Sequence, residues 1–441
     1  MTVDIQTFGP VAATPGCAGG AVVTADVQTF GCRLNAYESE VIRGHTAGQD
    51  DLVVVNTCAV TAEAERQGRA AVRRAHRERP GARIVVTGCA AQINPAAWSA
   101  LPGVDRVLGN LDKLRAEAWR PGAGGVVSDV WAPRADTAVA VTGFDGRARA
   151  LVEVQQGCGH ACTFCLIPQG RGPSRSVPAG VVVQRVRALV EAGYNEVVLT
   201  GVDIASYGPD LPGRPTLGSL VRRVLALAPG LARLRLSSLD PALLGAGGLD
   251  EDVWRLLAEE PRFMPHLHLS VQAGSDLVLK RMRRRHSRAG ALEVIARARR
   301  VRPGVAVGAD LIAGFPTETD ALFRETLDFV DEAALPYVHV FPYSERPGTP
   351  AARMPAVPVA VRRERAGRLR AAAAVHAGVF HAGMLGRTVQ VVAERGERGH
   401  TEHFAPVRLL GACDAGRIVA GRVVGADAVG LIVQPDAAGP M

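Results

Sequence analysis

The sequence contains no apolar run long enough to cross a membrane, for which about 18 uninterrupted apolar residues would be needed. The segment from Met1 to Pro10 also lacks the basic and apolar stretches of an export signal. We therefore expect a cytoplasmic protein without a membrane partner. Apolar residues make up 47% of the chain and charged residues 21%, which excludes a disordered composition and favours a folded enzyme.

Lysine is almost absent. Among 51 basic side chains, Lys113 and Lys280 are the two lysines, and all the others are arginines. The formal net charge of +8 favours an anionic partner such as nucleic acid, because arginine pairs with phosphate and stacks on bases. A coding bias towards arginine would give the same composition, so the charge alone does not identify the partner.

Three of the eight cysteines form a C-x3-C-x2-C pattern at Cys158, Cys162 and Cys165. In a reducing compartment such cysteines indicate metal ligation rather than disulfides, and thiolates are the ligands that iron-sulfur clusters select. No fourth Cys or His nearby completes a closed tetrahedral site, and a metal with an open position can bind a small molecule. The pattern predicts a reactive cluster, with a structural zinc knuckle or chance clustering as the alternatives.

Three further cysteines each follow a predicted strand in an α/β segment. The strands span 22–30, 52–55 and 84–86, and they lead to Cys32, Cys58 and Cys89. Because the carboxyl ends of parallel strands lie along one edge of a sheet, these thiols can converge there. Unrelated buried cysteines are the alternative. Asn35 is predicted to begin the first helix, with Glu38 completing a capping box.

A second α/β series follows the turn-rich segment 121–125. Its predicted strands span 151–154, 196–200, 234–237, 267–271, 305–312 and 338–341. Six βα units predict a partial barrel, and the Cys158 loop leaves the carboxyl end of its first strand, where barrel enzymes carry their chemistry. The run from Lys280 to Arg288 could contact phosphates or be a solvated helix end. His266 and His268 could face the barrel interior, although structural histidines are the more ordinary interpretation.

The last part of the chain predicts a helix over 359–384 and a small five-stranded β-barrel over 387–433, which could bind RNA or cap the protein. The fold class is thus α/β. We expect a poorly ordered leader at 1–21, in which Cys17 has no role, followed by domains at 22–125, 144–375 and 384–436.

With both cysteine triads assigned, residues 22–435 resemble the radical S-adenosylmethionine methylthiotransferases. The motifs that carry the resemblance are Gly31-Cys-Arg-Leu-Asn35, Asn56-Thr-Cys58, Gly88-Cys-Ala-Ala-Gln92, the Cys158 loop, Leu236-Ser-Ser238, Gln272-Ala-Gly-Ser275, Gly314-Phe-Pro316 and Tyr343-Ser-Glu-Arg346. The tail resembles the RNA-binding domain called TRAM, with Gly399-His-Thr-Glu402 near its start.

The resemblance implies two 4Fe-4S clusters. Cys158, Cys162 and Cys165 would hold one, whose open iron binds S-adenosylmethionine for cleavage to a 5'-deoxyadenosyl radical. A second cluster, on Cys32, Cys58 and Cys89, would carry the sulfur that is transferred. Three residues at the ends of barrel strands are expected to line the S-adenosylmethionine pocket: Gly201, Ser237 and Gln272.

The resemblance also implies partners and a substrate. The partners would be tRNA, a reducing protein such as a flavodoxin-like electron donor, and a sulfur donor that the sequence does not identify. Arg33 after Cys32, with Glu38-Ser-Glu40, resembles the branch that converts N6-threonylcarbamoyladenosine beside the tRNA anticodon to its 2-methylthio derivative. The other branches act on N6-isopentenyladenosine, with Gly-Cys-Gln-Met-Asn, or on a ribosomal-protein aspartate. A non-catalytic iron-sulfur RNA-binding protein and an electron carrier are the alternatives from other classes.

Overall fold

A computed structural model describes residues 25–132, 141, 143–144, 146–243 and 250–436. The predicted leader and Cys17 lie outside these residues. Within them, no helix combines the length and the apolar character that a membrane span requires.

The amino-terminal part is a four-stranded sheet in which all neighbouring strands are parallel, in the order β1-β2-β3-β4. Its elements are β1 (Asp26–Thr29), α1 (Arg33–His45), β2 (Leu52–Thr57), α2 (Ala62–Glu78), β3 (Arg83–Gly88), α3 (Cys89–Ile93), α4 (Pro95–Ser99) and β4 (Val104–Val107), followed by 3-10 turns at Asp112–Leu114 and Ala116–Trp119. The two central strands are almost entirely buried, as their continuous apolar runs require in a parallel sheet covered on both faces.

The predicted start of α1 was wrong. The helix begins at Arg33, two residues earlier, with Cys32 at its N-cap and no side-chain cap bond. Asn35 instead donates from Nδ2 to the carbonyl oxygens of Phe30 and Thr57, at 2.7 and 2.9 Å. Glu38 is buried and pairs with two cations. Both polar side chains face inward because buried partners satisfy them better than the helix end would.

The central part forms two sheets, with strand orders β6-β5-β7-β8 and β9-β10-β11-β12. Its elements are β5 (Ala150–Gln156), α5 (Ile167–Arg171), β6 (Arg175–Ser176), α6 (Ala179–Glu191), β7 (Glu196–Gly201), α7 (Leu217–Leu227), β8 (Arg233–Leu236), β9 (Ser238–Leu239), α8 (Glu251–Glu259), β10 (His266–Gln272), α9 (Asp276–Arg281), α10 (Arg288–Val301), β11 (Ala306–Ala313), α11 (Asp320–Ala333), β12 (Tyr337–Pro342) and α12 (Val359–Ala382), with 3-10 turns at Ile204–Ser206, Pro241–Leu243 and Pro350–Arg353.

Only Ser237 separates β8 from β9, so the two sheets continue one another along a single segment. The parallel series β5, β7, β8/β9, β10, β11 and β12 is the six-unit partial barrel that the sequence predicts. Each of these strands begins within three residues of its predicted position, since long buried runs of Val, Leu and Ile fix it.

The carboxyl-terminal part is a closed barrel, in the order β13-β14-β15-β17-β16. Its strands are β13 (Thr388–Glu394), β14 (Arg398–Thr401), β15 (Pro406–Leu409), β16 (Ile418–Ala426) and β17 (Leu431–Pro435). Inward side chains such as Val391, Val407 and Val433 alternate with outward polar ones, and Cys413 packs at the edge of this core. The predicted α/β class with a small terminal β-barrel is confirmed.

The amino-terminal and carboxyl-terminal parts both pack against the central barrel. Leu34, Tyr37 and Val41 of α1 belong to the same apolar core as the barrel strands. The terminal barrel contacts the amino ends of those strands, where Arg235 of β8 pairs with Glu196 of β7 and donates to the carbonyl oxygen of Glu402. The carboxyl ends of the strands, with the Cys158 loop, therefore remain on the side away from the terminal barrel.

Candidate functional site: two thiol triads

The first triad lies in the loop that leaves β5. Cys158, Cys162 and Cys165 are all half-buried. Backbone N–H groups of His160 and Ile167 donate to the Sγ atoms of Cys158 and Cys165, each at 3.4 Å. Donors aimed at sulfur stabilise a thiolate, so the loop is built for ligands that carry negative charge.

Two anchors hold this loop against the rest of the barrel. Thr163, inside the triad, donates its N–H to the Met282 carbonyl and accepts from the Ala351 N–H. The Gln155 side chain accepts from the N–H of Asp203 and donates to the Gly157 carbonyl at 2.7 Å. The loop is thus fixed before any metal binds.

Burial raises the pKa of Cys158 to about 11 and that of Cys165 to about 12. Each thiol would therefore stay protonated near neutral pH in the absence of a metal. A bound metal ion reverses this preference, because a coordinating thiol loses its proton. Three clustered thiols with sulfur-directed donors fit an iron-sulfur cluster better than isolated structural cysteines.

The second triad lies at the carboxyl edge of the amino-terminal sheet. Cys32 follows β1, Cys58 follows β2 and Cys89 follows β3. Burial, together with the nearby thiols of Cys32 and Cys89, raises the pKa of Cys58 to about 12, so the three thiols are close enough to interact. Cys58 and Cys89 are buried, whereas Cys32 remains exposed although the surrounding protein raises the pKa of its thiol. A thiol that is accessible to solvent and yet surrounded by protein is typical of the wall of a cavity.

Glycines make this convergence possible. Gly31 has a φ of +93°, and a Cβ there would lie 2.4 Å from the Cys58 Sγ. Gly88 has a φ of +96°, and a Cβ there would lie 2.2 Å from the Thr57 carbonyl oxygen. Any side chain at either position would push the cysteine-bearing loops apart.

The five-residue helix α5 connects the two triads. It begins two residues after Cys165, and at its end a Cβ on Gly170 would lie 3.1 Å from the Cys89 Cβ. Asn110 donates to both the Gly170 carbonyl, at 2.5 Å, and the Cys89 Sγ, at 3.5 Å. A helix of five residues is roughly 8 Å long, so α5 places the two triads near one another.

A buried ion cluster lies beside the second triad. The Glu38 carboxylate contacts Arg171 at 2.8 Å and Lys113 at 2.7 Å, and all three side chains are almost fully buried. Burial alone would raise the pKa of Glu38, but the two cations hold it down to about 2. Arg171 also interacts with the charges of Cys32 and Cys89. The net positive charge offsets the negative charge that three thiolates would bring.

The predicted S-adenosylmethionine residues lie on the rim that bears the first triad. Gly201 ends β7, Ser237 joins β8 to β9, and Gln272 ends β10 with a φ of +74°. The Ser237 hydroxyl is buried and has no hydrogen-bond partner among the described residues. A Cβ on Gly201 would overlap the Gln155 carbonyl oxygen at 2.5 Å, which explains the glycine by packing. The unpartnered hydroxyl is the feature that fits a bound ligand.

Several polar side chains of this rim were missed by the sequence analysis. His160, which was given no role, contacts Asp203 at 2.7 Å and Arg285 at 2.8 Å. Arg284 pairs with Asp240 at 3.2 Å and donates to the Cys162 Sγ at 3.6 Å. The run 280–288 is therefore only partly a solvated helix end, with Lys280, Arg283 and Arg285 exposed. A charged residue directly after a barrel strand was the available signal for Asp203.

The two histidines of β10 differ in role. His266, at the amino end, lies 5.0 Å from the ring of Phe404 in the terminal barrel, which is a structural contact. His268 is directed to Asp310 on β11, whose carboxylate also contacts His339 on β12, at 2.9 and 3.2 Å. These two contacts hold the pKa of Asp310 well below its usual range, although burial alone would raise it. This second group faces the barrel interior.

Comparison with known proteins agrees with this architecture. Residues 152–330 match the family model described as the radical SAM superfamily, and residues 24–109 match the model described as uncharacterized protein family UPF0004. Radical SAM enzymes bind a 4Fe-4S cluster and S-adenosylmethionine, and the match covers Cys158, Cys162 and Cys165. In structure, the radical S-adenosylmethionine methyltransferase TsrM from Kitasatospora setae is similar, with a TM-score of 0.51 and 18% identity over 68% of this chain and 65% of that one. This likeness concerns the fold.

Curated relatives are similar along most of the chain. The threonylcarbamoyladenosine tRNA methylthiotransferase MtaB of Rickettsia prowazekii is 46% identical over 91% of this chain and 94% of its own. MtaB of Bacillus subtilis is 37% identical over 76% of each chain, and a tRNA-2-methylthio-N(6)-dimethylallyladenosine synthase of Anaeromyxobacter dehalogenans is 38% identical over 83% of this chain and 82% of its own. With two thiol triads connected through α5 and this similarity along its length, the chain belongs to the radical SAM methylthiotransferase family and groups with its MtaB members.

Proposed function

We propose that this enzyme converts N6-threonylcarbamoyladenosine in tRNA to its 2-methylthio derivative. The main support is the similarity to the threonylcarbamoyladenosine tRNA methylthiotransferases, at 46% identity over 91% of the chain. The separate positions of the triads support the same reaction, since a hydrogen-abstracting centre and a sulfur-carrying centre must reach one substrate atom.

Cys158, Cys162 and Cys165 would hold the cluster that binds S-adenosylmethionine, and Cys32, Cys58 and Cys89 a second 4Fe-4S cluster. Together these groups supply electron transfer, radical generation and the transferable sulfur, while the protein supplies their placement. The His160 and Ile167 N–H groups and the Arg284 guanidinium would hold the first triad as thiolates.

Three rim residues are proposed for the S-adenosylmethionine pocket, with Ser237 the best supported. Its buried hydroxyl lacks a hydrogen-bond partner within the part of the chain that the structure describes, and it lies on the rim that carries the Cys158 loop. Gln272 is half-buried at the end of β10, where the strand register shifts. Gly201 would permit close approach of the adenosyl group rather than bind it.

The terminal barrel is proposed to be a TRAM-like domain that binds tRNA. Arg398 and Arg408 are exposed and lie directly opposite one another on β14 and β15. Like charges facing across a strand pair are unfavourable unless an anion neutralises them. An RNA phosphate would do so, and we expect a flavodoxin-like reducing protein as a further, cytoplasmic partner.

The test is mass spectrometry of tRNA nucleosides from a host that lacks methylthiotransferases, with and without this chain. We expect 2-methylthio-N6-threonylcarbamoyladenosine to appear only with the chain. In the purified enzyme, Cys158→Ala should abolish 5'-deoxyadenosine formation, whereas Cys58→Ala should retain some of it and yield no methylthiolated product.

Each other outcome has a distinct meaning. If the 2-methylthio derivative of isopentenyladenosine appeared instead, the proposed mechanism would stand and the proposed substrate would be wrong. The similarity to the dimethylallyladenosine synthases makes this outcome a relevant alternative. Neither product, with intact clusters, would favour a ribosomal-protein aspartate or a non-catalytic role. Normal product from Cys58→Ala would remove the second cluster from the reaction.

A further inference from the structure

One cation that faces the central barrel, Arg33, has no direct contact with a counter-charge among the described residues. Arg33 is the first residue of α1 and follows Cys32 directly. The next residue, Leu34, packs into the apolar core of the central barrel, so the start of α1 faces the barrel strands. Arg33 is half-buried, and within the described residues it makes no hydrogen bond or ion pair.

The charged groups around Arg33 each have another partner. Arg33 interacts at longer range with Arg149, Asp310 and Arg235. Arg149 pairs with Glu394 at 2.6 Å, and Arg235 pairs with Glu196 at 2.9 Å.

Asp310 is the carboxylate of this group nearest the barrel interior. It accepts hydrogen bonds from His268 and His339 rather than from Arg33. Among the described residues, no carboxylate therefore contacts the Arg33 guanidinium directly, although Asp310 acts on it at longer range. A guanidinium cannot lose its proton in a protein, and its unused N–H donors favour a bound anion.

The position of Arg33 limits what that anion can be. On adenine, C2, which receives the methylthio group, and C6, which bears the N6 nitrogen, both flank N1. A residue beside Cys32, in the triad proposed to carry the sulfur, is therefore in reach of the N6 substituent when C2 faces that triad. A threonylcarbamoyl substituent ends in a carboxylate, whereas an isopentenyl substituent is an uncharged hydrocarbon.

Resting on the proposed function, we propose that Arg33 binds the carboxylate of the threonylcarbamoyl group and selects this substrate over uncharged N6 substituents. A planar guanidinium binds a carboxylate through two parallel hydrogen bonds, which gives orientation as well as affinity. An isopentenyl group would leave the guanidinium unpaired and desolvated, which penalises the wrong substrate.

The experiment uses two anticodon stem-loops, one with N6-threonylcarbamoyladenosine and one in which its carboxylate is converted to the primary amide. Binding to the cluster-loaded enzyme is measured by fluorescence anisotropy, and product by mass spectrometry. The wild-type enzyme should bind the acid at least about tenfold more tightly than the amide. Arg33→Gln should bind both stem-loops with the same affinity, near that of wild type for the amide, and Arg33→Lys should recover part of the preference.

Two controls separate recognition from damage. Arg77→Gln, on the exposed end of α2 at the opposite edge of the amino-terminal sheet, should keep the full preference. Iron content should be unchanged in Arg33→Gln.

If Arg33→Gln lowered the affinity for both stem-loops equally, or kept the preference for the acid, the role of Arg33 would be refuted and the proposed function would not be affected. If the wild-type enzyme neither prefers nor methylthiolates the acid stem-loop, the proposed function falls together with it.

Discussion

Glu38 pairs with two cations, Lys113 and Arg171, that come from different parts of the chain. Lys113 is one of the two lysines in the sequence, and its ammonium is fully buried. Arg171 ends α5, so its pair with Glu38 ties the amino-terminal sheet to the central barrel. Without the carboxylate, two buried positive charges would remain close together.

We expect Glu38→Gln to lower the free energy of unfolding by about 3–5 kcal/mol, because it leaves buried cations uncompensated. Urea unfolding followed by intrinsic fluorescence measures this, since Trp98 and Trp119 are buried in the same part of the protein. Glu63→Gln, which breaks an exposed pair with Arg66, should have a much smaller effect. Similar losses for the two variants would refute a special role for the buried cluster.

The same carboxylate has a defined pH dependence. Its pKa is lowered to about 2, against about 4.3 in an unfolded chain, so its stabilisation is complete above the unfolded value and is lost as the pH falls towards 2. The difference in unfolding free energy between wild type and Glu38→Gln should be constant from pH 8 to pH 5 and narrow in more acidic buffer.

At the scale of elements, the strand-then-cysteine pattern was predictable because apolar runs and periodicity are local properties. The start of α1 was not, because Asn35 and Glu38 find partners more than 20 residues away in sequence, at Thr57 and Arg171. The link between the triads through Asn110 and Gly170 is equally non-local. Local rules describe such polar residues as caps, whereas the assembled protein uses them as internal supports.

The turn between β1 and α1 offers a sharp test of the second triad. Gly31 and Gly48 both have positive φ values, +93° and +83°, but only at Gly31 would a Cβ meet another atom, the Cys58 Sγ. Gly31→Ala should reduce bound iron from about eight to about four atoms per chain, because one of two clusters is lost. Gly48→Ala introduces the same kind of backbone strain without a steric clash, so this variant should keep its iron.

Iron and sulfide analysis with the absorption spectrum gives the measurement, and formation of 5'-deoxyadenosine should persist in Gly31→Ala. Equal iron loss in both alanine variants would attribute the effect to backbone strain. Full iron in Gly31→Ala would show that the second triad does not hold a cluster.

At the scale of the whole molecule, the sequence predicts three parts but not how they meet. The terminal barrel inserts Phe404 between Arg149 and Arg235, with the guanidinium groups 4.9 and 4.8 Å from the ring centre. These residues are widely separated in sequence, and nothing in their local patterns pairs them. The barrel is thus a cap at one end of the central barrel, and its outer face is left for a partner.

Binding of tRNA should weaken steeply with salt, because basic residues displace counterions from RNA. Replacing both Arg398 and Arg408 by Gln should reduce affinity at low salt. It should also reduce the slope of log affinity against log salt by about 1.4–1.8, for two lost phosphate contacts.

Fluorescence titrations with tRNA at several salt concentrations measure this slope. The matched control is Arg222→Gln with Arg255→Gln, an equally exposed pair of arginines on α7 and α8. If both double variants weaken binding alike, the terminal barrel has no special share in RNA recognition.

The cap at the amino ends of the strands has a consequence for the order of events in each catalytic cycle. Because Phe404 and its neighbours occupy that end, we expect small molecules and tRNA to enter from the opposite rim of the barrel. An anticodon loop bound at this rim would block the exit of S-adenosylmethionine and its cleavage products. We therefore expect S-adenosylmethionine to enter before tRNA, spent fragments to leave after it, and the departure of modified tRNA to pace the cycle.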